Sequence, residues 1–79
     1  SRVEYKAINL GTLDKLASES KVSDITVETL SSHGLAGKND LIKILAKGEL
    51  KAKVNVTAHK FSAAAAKAIE AAGGTVTEL

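Results

Sequence analysis

The sequence predicts a small α/β domain formed by residues 1–79, with a short, partly parallel sheet packed on an Ala-rich C-terminal helix. The length of 79 residues is enough for one domain, and a hydrophobic fraction of 44% is typical of a folded chain. Periodicity gives the order strand, helix, helix, strand, strand, helix, strand. The strand–helix–strand ending favours a parallel pair, because a helix can return the chain to the same end of the sheet.

The N-terminal segment predicts a strand followed by a short helix. Apolar and polar residues alternate through residues 3–10, which places Val3, Tyr5 and Ala7 on one face of a half-buried strand. Gly11 interrupts this pattern, and Thr12 is expected to cap a helix that carries Leu and Ala residues at helical spacing.

A second helix is predicted at residues 26–33, after a polar loop at residues 18–23. The hydroxyl of Thr26 can accept a backbone N–H, and Glu28 lies in the first turn, near the positive end of the helix dipole. Gly34 supplies the left-handed residue that commonly ends a helix.

The C-terminal half predicts the remaining elements from short patterns and turn residues. They are a turn at residues 37–40, a strand at residues 41–45 buried on both faces apart from Lys43, a strand at residues 54–58, a helix at residues 63–72 capped by Ser62, and a strand at residues 75–79. Gly73 and Gly74 end the last helix.

Composition excludes several kinds of site. The chain has no Cys, so it has no disulfide, thiolate ligand or Cys nucleophile. No apolar run approaches the roughly 20 residues of a membrane helix. Ser62 lies near His59 in sequence, but no Gly-x-Ser-x-Gly turn accompanies them, and the two histidines are not part of a metal-ligand motif. We therefore expect no enzyme activity, metal, cofactor, small-molecule substrate or membrane partner.

Positive charge is concentrated in the second half of the chain. The net charge is only +2, but residues 38–67 contain seven Lys against Asp40 and Glu49. Strand periodicity places Lys51 and Lys53 on one face with Asn55 and Thr57. Such a face suits phosphate and ribose contacts, although solubilising lysines would give the same pattern.

The glycines of residues 34–38 permit two interpretations. Backbone N–H groups beside Lys38 could hold a phosphate, but the segment lacks the glycine spacing and the Ser or Thr of a phosphate loop. An ordinary turn is the simpler interpretation.

Six motifs along the chain are specific enough to compare with a known family. They are Ile8–Leu13 (INLGTL), Thr26–Leu30 (TVETL), Lys43–Leu50 (KILAKGEL), Val54–Val56 (VNV), Ala58–Ala65 (AHKFSAAA) and Ile69–Gly74 (IEAAGG). Together they resemble the C-terminal part of bacterial large-subunit ribosomal protein fifteen. The sequence departs from that family at Val27, where Pro is frequent.

The resemblance implies an irregular superhelix of strands and helices that binds large-subunit ribosomal RNA and supports subunit assembly. It implies a monomer outside the ribosome, a location in cytoplasmic ribosomes, and neighbouring large-subunit ribosomal proteins as further partners. It also implies that the chain is the C-terminal part of a longer protein, whose basic N-terminal arm is absent from this sequence.

Charge and position near the signature motifs nominate the RNA contacts. The candidates are Lys43, Lys47, Lys51, Lys53, His59, Lys60 and Ser62, with Arg2 a weaker one. Ser62 could serve only as a helix cap and Lys47 only as a turn residue. Pattern places Leu45, Val54, Val56, Phe61, Ala65 and Ile69 in the core. The alternative function is a small non-catalytic protein–protein docking domain, whose binding would respond little to salt.

Overall fold

The computed structural model describes residues 2–79, which form two small sheets and three helices. The elements are β1 (Lys6–Asn9), α1 (Leu10–Ser20), β2 (Asp24–Ile25), α2 (Val27–Ser32), β3 (Ile42–Leu45), β4 (Asn55–Ala58), β5 (Lys60–Phe61), α3 (Ala63–Ala71) and β6 (Thr75–Glu78).

Consecutive strands alternate between the two sheets. The first sheet has the order β1-β3-β5 and the second has the order β2-β4-β6, and every pair is parallel. The chain is thus a superhelix in which each turn adds one strand to each sheet. The predicted α/β class, superhelical path and parallel pairing across the last helix are confirmed. The strands form two sheets, however, and both are wholly parallel.

Three connections lead from the carboxyl end of the first sheet to the amino end of the second. They are α1, the irregular segment 46–54 and α3. We call residues 46–54 the basic loop, because it carries Lys47, Lys51 and Lys53. The return connections are α2 with the turns after it, and His59 alone.

The core between the sheets and helices is aliphatic, as predicted. Its fully buried large side chains are Leu13, Ile25, Leu30, Ile42, Ile44, Val54, Val56 and Ile69. Ala58 and Ala65 are also fully buried, and their small side chains let backbone segments approach closely. Of the predicted core residues, Phe61 is partly buried against this cluster and Leu45 is half-buried.

The predicted face of the first strand is wrong. β1 begins only at Lys6, and Val3 and Tyr5 precede it and are exposed. Within the strand Ile8 is buried and Ala7 is exposed. The face with Ile8 removes more apolar surface from water than the face with Ala7, so the core takes the larger side chain.

The predicted start and end of the first helix are also wrong. α1 begins at Leu10, without a side-chain cap, and continues through Ser20 before Lys21 adopts a left-handed conformation (φ 59°). Thr12 therefore lies inside the helix. Burial of Leu10, Leu13 and Leu16 on one face explains this extent, because tertiary packing outweighs weak local signals.

The two later caps are confirmed. Thr26 Oγ1 accepts the N–H of Thr29 at 3.2 Å, and the hydroxyl of Thr29 accepts the N–H of Thr26 at 3.1 Å, which together form a capping box. Ser62 Oγ accepts the N–H of Ala65 at 3.1 Å. Gly34 has the predicted positive φ, 72°.

Candidate nucleic-acid interface

Two lysines lie side by side on the outward face of the first sheet. Lys43 pairs with Ala7 on one side and with Lys60 on the other, so the three side chains form a row across β1, β3 and β5. Their chain neighbours Ile8 and Ile44 face the core. Ala7 and Lys60 are exposed and Lys43 is half-buried. The row thus presents two ammonium groups to solvent beside a small residue.

No carboxylate neutralises this row among residues 2–79, where the one ion pair joins Arg2 to Glu4. Neighbouring strands are about 4.8 Å apart, and like charges directly opposite one another are destabilising. An anion bound between Lys43 and Lys60 would relieve this repulsion. The row therefore has the charge and spacing of a phosphate contact.

The carboxyl ends of the first sheet bring further candidates together. At this edge β1 leads into α1, β3 leads into the basic loop, and β5 leads through Ser62 into α3. Two helix N-termini, each with a partial positive charge, thus lie at the same edge as Lys47. In open parallel sheets, this edge is where ligands commonly bind.

Ser62 caps α3, in agreement with the interpretation of this residue as a helix cap. Its oxygen accepts the N–H of Ala65, and its own N–H donates to the carbonyl oxygen of Ile44 at 2.9 Å. The cap uses the hydroxyl oxygen only as an acceptor, so the hydroxyl hydrogen is left for a ligand at the sheet edge.

The basic loop is attached to α1 at two points. The N–H of Gly11 donates to the carbonyl oxygen of Lys47 at 3.1 Å. Asp14 Oδ1 accepts the N–H groups of Lys51 and Ala52 at 2.9 and 3.0 Å. These N–H groups, of Ala52 first and then of Lys51, lower the pKa of Asp14, and the Lys51 charge adds to the effect.

The lysines of the basic loop have exposed side chains. Lys47, Lys51 and Lys53 are all exposed. The aliphatic part of Lys53 lies beside Gly73, where α3 has just ended. The loop therefore contacts α1 on one side and the end of α3 on the other. Lys51 and Lys53 precede β4 and are not part of it, so the predicted strand face begins only at Asn55.

His59 lies at the opposite end of the first sheet, where its ring is fixed by β3. The ring Nδ1 of His59 accepts the backbone N–H of Ile42 at 2.9 Å. The backbone N–H of His59 in turn donates to the carbonyl oxygen of Ile42 at 3.1 Å. Because Nδ1 accepts a hydrogen bond, the neutral ring carries its proton on Nε2. His59 thus offers an N–H donor next to Lys60. The His59 ring accepts the N–H of Ile42, whereas the Ser62 hydroxyl accepts the N–H of Ala65, so the two side chains have different backbone partners.

The segment with the glycines at residues 34–38 forms a turn closed by a carboxylate. Asp40 Oδ2 accepts the N–H of Gly37 at 2.7 Å, and the N–H of Asp40 donates to the carbonyl oxygen of Gly37 at 3.0 Å. A backbone donor that a phosphate would need is therefore already used, and a negative charge lies beside it. The structure supports the turn interpretation.

No sequence pattern marks two further participants in the site. Ala7 leaves the row open beside Lys43, and Asp14 holds the basic loop. No local pattern could have found Asp14, because its partners lie 37 and 38 residues further along the chain.

Other kinds of site have little support in the described part of the chain. Residues 2–79 contain no cluster of three or more His, Asp or Glu side chains placed to hold a metal ion. None of the helices formed by these residues has the length and apolar character needed to cross a membrane. A cavity of about 190 Å³ lies between α1 and the turn after α2, and Lys15, Glu19 and His33 are among its lining residues. It contains none of the predicted contacts.

Comparison with known proteins gives consistent matches along the chain. A family model that describes ribosomal proteins, among them 50S-L15, 50S-L18e and a protein of the 60S subunit, matches residues 7–77. The large ribosomal subunit protein uL15 of Christiangramia forsetii is 50% identical over 80 aligned residues, which cover 100% of this chain and 53% of that protein.

Further relatives agree in identity and in coverage. The proteins of the same name from Amoebophilus asiaticus and Corynebacterium jeikeium are 51% and 47% identical, over 94% and 99% of this chain and 49% and 51% of their own lengths. The chain thus spans about half the length of the curated relatives that it matches.

Proposed function

Because the chain belongs to the ribosomal protein family that includes 50S-L15 and 50S-L18e, we propose that it binds large-subunit ribosomal RNA and supports assembly of that subunit. The observation that carries the proposal is the row of Lys43 and Lys60, two adjacent positive charges on an outward sheet face. The whole protein is proposed to work in cytoplasmic ribosomes, beside other large-subunit proteins.

The proposed interface has a phosphate-binding part and a hydrogen-bonding part. Lys43 and Lys60 bind phosphate from the sheet face, Lys47 binds phosphate at the carboxyl edge, and Lys51 and Lys53 bind it further along the basic loop. His59 Nε2–H and the Ser62 hydroxyl can donate to phosphate or ribose oxygens, and ribose 2′-hydroxyls distinguish RNA from DNA. The contacts to phosphate set affinity, while the hydrogen bonds help to fix position.

The domain is proposed to be one of two RNA-binding parts of a longer protein, a basic arm being the other. The domain itself is nearly balanced in charge, at +2. Its lysines therefore give a localised contact area, and the arm would supply much of the remaining affinity.

Replacing Lys51, Lys53 and Lys60 together with Gln tests the interface. Log affinity falls with log salt, and each lost phosphate contact reduces the steepness of this fall by about 0.7–0.9, so three lost contacts reduce it by about 2–3. We expect weaker binding to bacterial large-subunit ribosomal RNA transcribed in vitro, measured between about 50 and 200 mM salt on a chain that melts like wild type.

A charge-matched variant separates specific contacts from net charge. Lys15, Lys38 and Lys67 are exposed and lie outside the proposed interface, so their joint replacement with Gln removes the same charge. We expect this control to bind close to wild type. An equal loss in both variants, or an unchanged salt slope in the first, would contradict the interface. A wild-type chain without salt-dependent binding to this RNA would instead favour the alternative, a protein-docking domain, whose own binding would respond little to salt.

A further inference from the structure

We propose that Asp14 is a positioning residue of the RNA interface, whose carboxylate holds the basic loop so that its lysines face the RNA in one arrangement. The inference rests on the proposed function and adds an acidic residue to a basic site. Asp14 itself contacts no RNA; it acts through the backbone of Lys51 and Ala52.

The first observation is the pair of hydrogen bonds made by one carboxylate oxygen. Asp14 Oδ1 accepts two consecutive N–H groups, from Lys51 at 2.9 Å and from Ala52 at 3.0 Å. Two consecutive amides that point to one oxygen fix the backbone direction at Lys51. A carboxylate bound in this way makes stronger hydrogen bonds than a neutral acceptor does.

The second observation is a close backbone contact one helical turn away. Gly11 and Asp14 are three residues apart in α1, so they lie on one face of the helix. Gly11 N–H donates to the carbonyl oxygen of Lys47, and a Cβ on Gly48 would lie 3.1 Å from the Cα and N of Gly11. Gly48 also has a φ of 79°. The loop is therefore held at Lys47 and again at Lys51.

This attachment has a direct consequence for binding. The basic loop contains no helix or strand, so its lysines depend on these contacts for a fixed arrangement. A loop that is already ordered loses less conformational entropy when a ligand binds, and this increases affinity. Lys51 and Lys53, which flank Ala52, should depend most on the attachment.

Simple electrostatics and the positioning role predict opposite changes in RNA affinity when the carboxylate of Asp14 is removed. The negative charge of Asp14 beside Lys51 repels phosphate, so its removal alone should strengthen RNA binding. If Asp14 positions the loop, removal of the acceptor oxygen should weaken binding even though the charge is gone. Two substitutions at this position separate the two effects, because both remove the charge and only one removes the acceptor.

The experiment compares Asp14→Ala with Asp14→Asn in the 79-residue chain. Ala is the best helix former, so the first variant should keep α1 intact. We expect Asp14→Ala to bind in vitro-transcribed large-subunit ribosomal RNA about 3–10-fold more weakly near 100 mM salt. Asp14→Asn keeps a weaker acceptor oxygen at this position and loses the charge that repels phosphate, so its affinity should be close to that of wild type and above that of Asp14→Ala. Glu19→Ala, an exposed change on the same helix, is the charge control.

Amide hydrogen exchange provides a readout that does not depend on RNA. The amides of Lys51 and Ala52 should be protected in wild type and in Asp14→Asn, and should exchange faster in Asp14→Ala. Wild-type amides without protection would overturn the attachment itself. Asp14→Ala that binds as tightly as Glu19→Ala, while these amides exchange faster, would overturn the positioning role alone.

The same measurements distinguish this proposal from the one that it rests on. A wild-type chain with no salt-dependent binding to the RNA would overturn the proposed function, and the role of Asp14 in RNA binding with it. Normal wild-type binding, a weakened Asp14→Ala and a restored Asp14→Asn would support both proposals together.

Discussion

Replacement of Gly74 with Ala is expected to disrupt the junction between α3 and β6. A Cβ on Gly74 would overlap the carbonyl oxygen of Val54 and would lie 3.1 Å from the backbone nitrogen of Val54. That same oxygen accepts the N–H of Thr75 at 3.2 Å, at the start of the pairing between β4 and β6. The obstacle is backbone and cannot rotate away as a side chain can, so β6 must shift.

The cost combines overpacking with damage to the strand pair. Overpacking a tight site costs about 1–3 kcal/mol, and each lost hydrogen bond adds about 1 kcal/mol. We therefore expect about 3 kcal/mol, a large part of the roughly 4–12 kcal/mol that stabilises a domain of this length. Since 1 kcal/mol corresponds to about 4–8 °C in a small domain, the melting temperature should fall by about 12–24 °C.

Thermal and urea unfolding followed by circular dichroism would measure this cost, with Gly34→Ala as the control. Gly34 has a φ of 72°, but a Cβ there would meet nothing within 4 Å. That change should therefore cost only the strain of a left-handed Ala, about 1 kcal/mol. A Gly74→Ala chain that melts within a few degrees of wild type, or no lower than Gly34→Ala, would refute the steric argument.

Two further predictions concern the core and the response to acid. Ile69 is fully buried on α3. In urea unfolding, Ile69→Ala should lower the free energy of unfolding by about 2–5 kcal/mol and Ile69→Val by about 0.5–1.5 kcal/mol. An Ala variant that melts within a few degrees of wild type would contradict the burial. The lowered pKa of Asp14 stabilises the fold above the pKa of the unfolded chain, near 3.8, and this contribution is lost as pH falls through the lower folded value. Asp14→Asn should therefore flatten the fall of stability with acid below about pH 4, and an unchanged acid response would contradict this role.

Local chemistry allowed much of the fold to be predicted from the sequence. Thr26 and Ser62 cap their helices through groups three residues ahead, and Gly34 has the expected positive φ. The strands at residues 42–45 and 55–58 lie within the predicted ones. In each case the cause lies within a few residues of its effect, so inspection of a short stretch of sequence can find it.

The elements that were missed depend on distant partners. Asp24–Ile25 and Lys60–Phe61 are strands of two residues, too short for any periodicity, and they exist because β4 and β3 pair with them. α1 begins after Asn9, whose side chain makes no capping hydrogen bond, so no local hydrogen bond fixes the start of this helix. Tertiary packing sets these boundaries, and local propensity is only a weak guide to it.

The candidate site shows the same division. The sequence could nominate Lys43 and Lys60 from charge and motif, but only the strand register shows that they are neighbours. It could not find Asp14, whose contacts depend on how the basic loop lies against α1. Residue types therefore suggested the chemistry, and the topology supplied the arrangement.

The parallel topology also explains why positive groups collect at one edge of the first sheet. Because β1, β3 and β5 run in one direction, their carboxyl ends meet there, and each is followed by a connection to the second sheet. Two of the connections are helices, which place their positive N-terminal ends at this edge, and the third is the basic loop. Neighbouring antiparallel strands would have sent successive connections to opposite edges. The outward row of Lys43 and Lys60 belongs to the same sheet, so in the proposed complex one strand of RNA lying against this face and edge could contact the row and Lys47 together.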